Sequence, residues 1–205
     1  YISEIQNIQS AANGRTLHGW FVACPLTPTR MMSLPPQVVY KKIIQTGRLA
    51  EKLGARILGL GAYTSVVGDG GLTVASRLNI PVTTGDSLTI ATAVQAIQKA
   101  AEIMDIPLPG ATVAIVGATG AIGAVCGQLL APQVNQIILI GRRQEKLDQV
   151  AQLVRQAGCQ QVSASSQIND LTQAHLIITV TSAVDTVIEP HHLRQGAVVC
   201  DVARP

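Results

Sequence analysis

Three glycines at every third position, Gly117, Gly120 and Gly123, stand directly behind the apolar run ATVAIV and directly before a segment with helical spacing. Few arrangements satisfy that pattern, because each glycine has a separate task. Gly117 turns the chain sharply off a strand. Gly120 leaves the backbone bare where a pyrophosphate must approach. Gly123 lets a helix pack closely against the sheet. The helix that follows offers free N–H groups and the positive end of its dipole to phosphate. The whole turn, Gly117, Ala118, Thr119, Gly120, Ala121, Ile122 and Gly123, is therefore a candidate dinucleotide cradle. A glycine-rich turn that binds nothing is the plainer alternative.

The surrounding sequence alternates in the way such a cradle requires. ATVAIVG reads as a strand, 121–131 as a helix of small residues and QIILIG as a second strand. EKLDQVAQLVRQAG reads as a second helix ending in glycine; VSAS, HLIITVTSA and GAVVCDVA supply three more strands. Strands alternating with helices of this length imply a parallel sheet with right-handed crossovers. The expected fold class is α/β: a Rossmann-type parallel-sheet domain preceded by a smaller α/β substrate domain.

The end of the second strand decides the cofactor. An acid at that position would hold a ribose 2′-hydroxyl. Here Gly141 leads into Arg142 and Arg143, and Glu145 already belongs to the next helix. A guanidinium grips a 2′-phosphate bidentately and stacks on adenine, so the pair predicts NADP(H) over NAD; two merely solvated arginines are the alternative. Thr181 and Ser182 follow the fourth strand at the carboxyl edge, where small hydroxyl residues leave room for the nicotinamide ribose or simply end a strand.

The 110 residues ahead of the strand ATVAIV are harder to read. TLHGWFVAC reads as a strand, 37–53 as an amphipathic helix stopped by Gly54, 72–78 as a helix and IPVTT as a strand. Asp86 or Ser87 caps a long helix over 87–104, and Pro107 and Pro109 mark a linker. The expected division is a substrate or catalytic α/β domain over 1–86, a linking helix and linker over 87–110, and the NADP-binding domain over 111–205, incomplete at its C-terminal end. Asp86 and Thr84 are the candidate catalytic pair, Asp86 orienting a substrate carbonyl or a water; helix capping is its other reading. Lys41 and Lys42 sit on the first long helix, as solvated cations or as cleft residues. Cys24 and Cys200 are weighed as nucleophiles against inert buried thiols, and His191 and His192 as loop residues.

Composition narrows the class. Apolar residues make up 47% and charged residues 13% of 205, with aromatics at 2%, so the core is built of Val, Ile, Leu and Ala. A formal charge of +3 with no Lys/Arg run does not point to nucleic acid. Four scattered cysteines suggest neither a zinc site nor a disulfide framework, and a reducing cytoplasm is the expected compartment. No apolar run reaches membrane-span length. The chain starts without Met and stops just after a strand-like run, which suggests part of a longer protein.

The blocks LHGWFVACPLTP, LGLGAYTSVVGDGG, PVTTGDSLTIATA, ATVAIVGATGAIGAVC and ILIGRRQEKLDQV, in this order, resemble the long-chain acyl-[acyl-carrier-protein] reductases of cyanobacteria and their relatives catalogued as predicted amino-acid dehydrogenases. The segment GAVVCDVARP is similar to the cofactor domains of shikimate dehydrogenase and glutamyl-tRNA reductase. The resemblance implies NADPH-dependent reduction of a fatty acyl thioester to an aldehyde. It also implies an acyl-thioester or other small-molecule substrate, an acyl carrier protein as partner, and a catalytic cysteine in a segment beyond Pro205. The loops depart from those reductases at Tyr63, Asp69 and Asp86, which argues for a different substrate. Two other readings stand beside it: an NADP-dependent dehydrogenase of a small polar hydroxy or amino acid, and a dinucleotide-binding module without turnover. Association into a homo-oligomer accompanies many proteins of this build.

Overall fold

A computed structural model of the chain describes residues 1–181 and 188–203. It divides into two compact units, Tyr1–Gly85 and Asp86–Pro205.

The first unit opens with an antiparallel hairpin of β1 (Ser3–Gln9) and β2 (Thr16–Phe21). The pairing slips between Ile5 and Ile8, and Asn7 takes a left-handed φ of 62° there, as a bulge requires. Next come α1 (Pro28–Ser33), capped by the Thr27 hydroxyl, and α2 (Pro36–Leu53). Gly54 ends α2 at φ 96°, and its N–H returns to the Ala50 and Glu51 carbonyls. Then follow β3 (Leu58–Gly59), α3 (Leu72–Ala75) and β4 (Val82–Thr83); β3 and β4 pair in parallel. Met31, Val39, Ile43, Leu60, Tyr63, Val67 and Val74 form the buried core of this unit. The strand expected over 16–24 stops at Phe21, and the helix expected over 72–78 is a single turn.

The second unit contains α4 (Asp86–Ile103), β5 (Thr112–Val116), α5 (Ala121–Leu130), β6 (Gln136–Ile140), α6 (Gln144–Gln156), β7 (Gln161–Ser165), β8 (Leu176–Thr179) and β9 (Val198–Asp201). Its five strands are all parallel in the order β7-β6-β5-β8-β9, so the winding reverses between β5 and β8. Both faces of the central strands are covered. Val113, Ile115, Ile137, Leu139 and Ile178 meet the helices, while Ala114, Val116, Ile138 and Ile177 pack with Leu171 and Ala174. Burial on both faces explains why these strands read as continuous apolar runs and not as alternating ones.

The helix treated as a linker in the sequence reading is part of this unit. Ile90, Ala93, Val94, Ile97 and Ala101 follow an i, i+3, i+4, i+7 stripe and join the core beside the sheet. An apolar stripe of that width must be buried, and the sheet surface buries it.

Candidate functional site

The chain leaves β5 through Gly117, which takes φ 84°. The Gly117 and Ala118 N–H groups both donate to the Ile140 carbonyl, at 2.9 and 3.1 Å, and the Gly120 N–H donates to the Gly117 carbonyl at 3.0 Å. A Cβ at Gly117 would stand 3.0 Å from the Val180 carbonyl and 3.1 Å from the Thr181 nitrogen. Gly117 is therefore required by backbone geometry and by the approach of the next strand's end. A Cβ at Gly123 would lie 2.7 Å from the Gly117 oxygen and 3.0 Å from Ala118 Cα, so α5 packs straight onto the turn.

Gly120 differs. It caps α5 with an ordinary extended backbone, φ −79° and ψ 163°, and is exposed. A Cβ there would meet only the Gly117 oxygen, at 3.3 Å. The fold itself asks little for glycine at this position, which leaves the space in front of α5 as the reason for it. Among the described residues no side chain caps the helix, and the N–H groups of its first turn stay ahead of the helical ladder, aimed at that space. Ala121 is exposed, Thr119 and Ile122 are half-buried and Ala118 is fully buried.

The other candidates gather at the same edge. A Cβ at Gly141 would be 3.4 Å from Thr119 Cγ2, which sets the β6 exit beside the glycine turn. Arg142 and Arg143 follow, both exposed, and neither guanidinium has a hydrogen bond or ion pair among the described residues. The Val180 N–H donates to the Val116 carbonyl at 2.9 Å, placing Thr181 next to Gly117. Ser182 lies outside the described residues.

One pair escaped the sequence reading. The buried Thr179 hydroxyl donates to Asp201 Oδ1 at 2.9 Å, and the Ala203 N–H donates to the same oxygen at 2.9 Å. Asp201 thus ties the ends of β8 and β9 together and shapes the turn after β9. The acid closing the run VVCD was its only trace in the sequence.

The remaining candidates lie on other elements. Thr84 belongs to the first unit; Asp86 is the first residue of α4 in the second, half-buried. None of the four thiols is a ready thiolate. Burial raises Cys24, against a hydrogen bond to Thr46 and the charge of Lys42; burial and Asp201 raise Cys200. Burial also raises Cys159, and it pushes Cys126 up to about 11 with help from Cys200. His192 is structural: its Nδ1 accepts the Glu189 N–H at 3.0 Å. Lys41 lines a groove of the first unit, and the half-buried Cys24 lines a larger cavity there of about 840 Å³. Among the described residues no helix is long and apolar enough to cross a membrane.

A parallel sheet whose winding reverses beside a glycine turn and an uncapped helix N-terminus defines a Rossmann-type nucleotide-binding unit, and the residues at its carboxyl edge fit a pyridine dinucleotide. The sequence pattern of shikimate / quinate 5-dehydrogenase matches residues 98–205. The chain belongs to that family, one of pyridine-nucleotide oxidoreductases.

Two relatives match along nearly the whole chain. "Aminotransferase PigE" of a Serratia species is 31% identical over 198 residues, 96% of this chain and 23% of that protein. "Long-chain acyl-[acyl-carrier-protein] reductase" of Synechococcus elongatus is 30% identical over 207 residues, 96% of this chain and 59% of that protein. The chain thus spans under two thirds of the length of either. Among solved structures, L-tryptophan dehydrogenase from Nostoc punctiforme superposes with a TM-score of 0.49 at 18% identity, over 85% of this chain and 49% of that one.

Proposed function

We propose that this chain is the cofactor-bearing part of an NADPH-dependent reductase that converts an acyl thioester to an aldehyde. The cofactor choice rests on one observation: at the exit of β6 stand two exposed arginines, without a partner among the described residues, where an acid would serve NAD. Arg142 and Arg143 would hold the 2′-phosphate, the Gly117–Gly123 turn and the first turn of α5 would seat the pyrophosphate, and Thr181 would flank the nicotinamide ribose. NADPH held there would supply the hydride that replaces the thiol at the thioester carbonyl carbon, the C–S bond breaking and the departing thiolate taking a proton. Asp86, with Thr84, orients the carbonyl or the water that delivers that proton.

The thioester substrate rests on likeness to the Synechococcus reductase along 96% of the chain. Two of the three loop departures from that group have structural explanations. Tyr63 is a core residue, 3% exposed. Asp69 caps α3, accepting from the Thr73 N–H at 3.0 Å and from the Thr73 hydroxyl. Neither needs to contact a substrate. The family match favours a second reading, a dehydrogenase of a small polar hydroxy acid.

NADPH oxidation by the intact protein, followed by absorbance, separates the two. Consumption with a long-chain acyl-CoA or acyl carrier thioester, with aldehyde as product, is the expected result. Turnover of shikimate-like acids with NADP and none with thioesters overturns the proposal in favour of the second reading.

A further inference from the structure

The two units differ sharply in charge. Residues 1–85 hold eight Lys and Arg against three acids, a formal +5 in a chain whose whole is +3. The three acids are engaged: Glu4 pairs with His18, Glu51 accepts the Asn79 N–H and Asp69 caps α3. The excess positive charge is therefore not neutralised within the unit.

Part of it converges. A groove of about 360 Å³ runs between α2 and the α3 segment, with Lys41 and Arg48 on one wall and Arg77 on the other. Lys41 and Arg48 are two helical turns apart on one face, about 10 Å along the axis. None of the three has an ion pair among the described residues. Gln37, Tyr40 and Thr73 add neutral polar groups to the lining.

The floor is built and not incidental. The Tyr40 hydroxyl accepts the Asp69 N–H at 3.0 Å, and it occupies the space that a Cβ on Gly68 would need. Gly68 sits at φ 72°. The loop is thus locked onto α2, and α3 is held against the helix that carries the cations. The Asp69 carboxylate has its Oδ2 turned to Thr73.

We infer that the α2–α3 groove is a phosphate site, taking the phosphate carried by the pantetheine arm of an acyl thioester donor. Two guanidiniums give bidentate recognition and one ammonium adds a point charge. The size suits a phosphate with the first atoms of its ester. The inference rests on the thioester reading for the identity of the donor. Free coenzyme A and a carrier protein's phosphopantetheine present the same group.

The test uses intact protein saturated with NADPH, so that the dinucleotide site is filled. Calorimetric titrations are run with coenzyme A, with pantetheine, and with an acyl carrier protein in its apo and phosphopantetheine-bearing forms. Coenzyme A or the loaded carrier is expected to bind, and pantetheine or the apo carrier at least tenfold more weakly. Which of the two phosphorylated ligands binds identifies the source. The triple variant Lys41→Gln, Arg48→Gln, Arg77→Gln is expected to lose at least tenfold in that affinity, with NADPH affinity and thermal unfolding unchanged. Lys52→Gln, an exposed cation of α2 outside the groove, serves as the charge control and should bind like wild type. Equal binding of pantetheine and coenzyme A, wild-type affinity in the triple variant, or no binding of either phosphorylated ligand overturns the inference. Should thioesters be reduced with the same KM by wild type and triple variant, the groove assignment fails while the thioester reading stands. Should the triple variant lose coenzyme A binding in a protein that reduces no thioester, the groove stands and the thioester reading fails.

Discussion

The glycine turn separates fold from binding residue by residue, and Gly120 gives the sharpest test. At φ −79° and ψ 163° a branched residue is sterically comfortable. A Cβ at Gly120 meets a single atom, the Gly117 oxygen, at 3.3 Å. Gly120→Val should thus cost about 1 kcal/mol, the scale of replacing a tolerated N-cap by an aliphatic one. Gly117→Ala should cost about 3 kcal/mol. A left-handed φ of 84° costs a non-glycine residue roughly 1–2 kcal/mol, and the 3.0 Å contact with the Val180 backbone adds overpacking of about 1 kcal/mol or more. The order for binding is different. In the proposed pose the valine side chain would stand where the pyrophosphate meets the first-turn N–H groups, each such charge-assisted bond being worth roughly 1.5–3 kcal/mol. Gly120→Val should therefore weaken NADPH at least tenfold, since about 1.4 kcal/mol is a factor of ten, while remaining folded. Urea unfolding followed by circular dichroism reads the first quantity, and NADPH fluorescence titration the second. Wild-type NADPH affinity in Gly120→Val, or a stability loss as large as that of Gly117→Ala, would refute the reasoning and reduce the motif to a turn.

Arg142→Ala combined with Arg143→Ala should cost about 1–3 kcal/mol in NADPH affinity and leave NADH nearly unchanged. Both side chains are exposed, so stability should hold; equal losses for the two cofactors in parallel titrations would sink the assignment. Asp86→Asn keeps a good helix start and should leave stability within about 1 kcal/mol while kcat falls at least tenfold. Unchanged turnover would return Asp86 to helix capping alone. Cys126 makes the protein alkali-sensitive in a defined window. Its thiol rises from 9.0 to about 11 in the folded chain, so the unfolded chain releases its proton first. The stabilisation is complete below pH 9 and is lost as pH rises to about 11, up to roughly 2–3 kcal/mol at 1.36 per unit. Cys126→Ala should flatten that stretch of the stability–pH curve relative to wild type; parallel curves would show that the thiol is not the cause.

The second unit was legible because its signals are local. Strands buried on both faces announce themselves as Val/Ile/Leu runs, and α4 shows its apolar stripe whatever buries it. What the stripe could not say is which unit supplies the other surface, and that decided whether α4 links or belongs. The hairpin shows the opposite limit. β1 reads SEIQNIQ, nearly all exposed, and is held by backbone bonds to β2 rather than by an apolar face. A strand that buries nothing leaves almost no pattern to read.

Sites follow the same division. The glycine cradle is contiguous in the chain, so its members could be named before any coordinates. Arg142 and Arg143 are distant in sequence, but the end of the second strand in a βαβ unit is a fixed place relative to the turn, and a Cβ at Gly141 would stand 3.4 Å from Thr119 Cγ2, so the two segments lie side by side. Asp201 needed the parallel register that sets it opposite Thr179. Arg48 and Arg77 needed more still, since only the packing of α2 on the α3 segment, pinned by Tyr40 against Gly68, brings them to one groove with Lys41. A cation on a helix is silent until its neighbour from another element is known. Net charge counted unit by unit carries part of that missing information: the overall +3 conceals a first unit at +5, too positive for its own acids to answer. An imbalance confined to one folding unit costs that unit self-repulsion, and a phosphate held in the proposed α2–α3 groove would offset part of it.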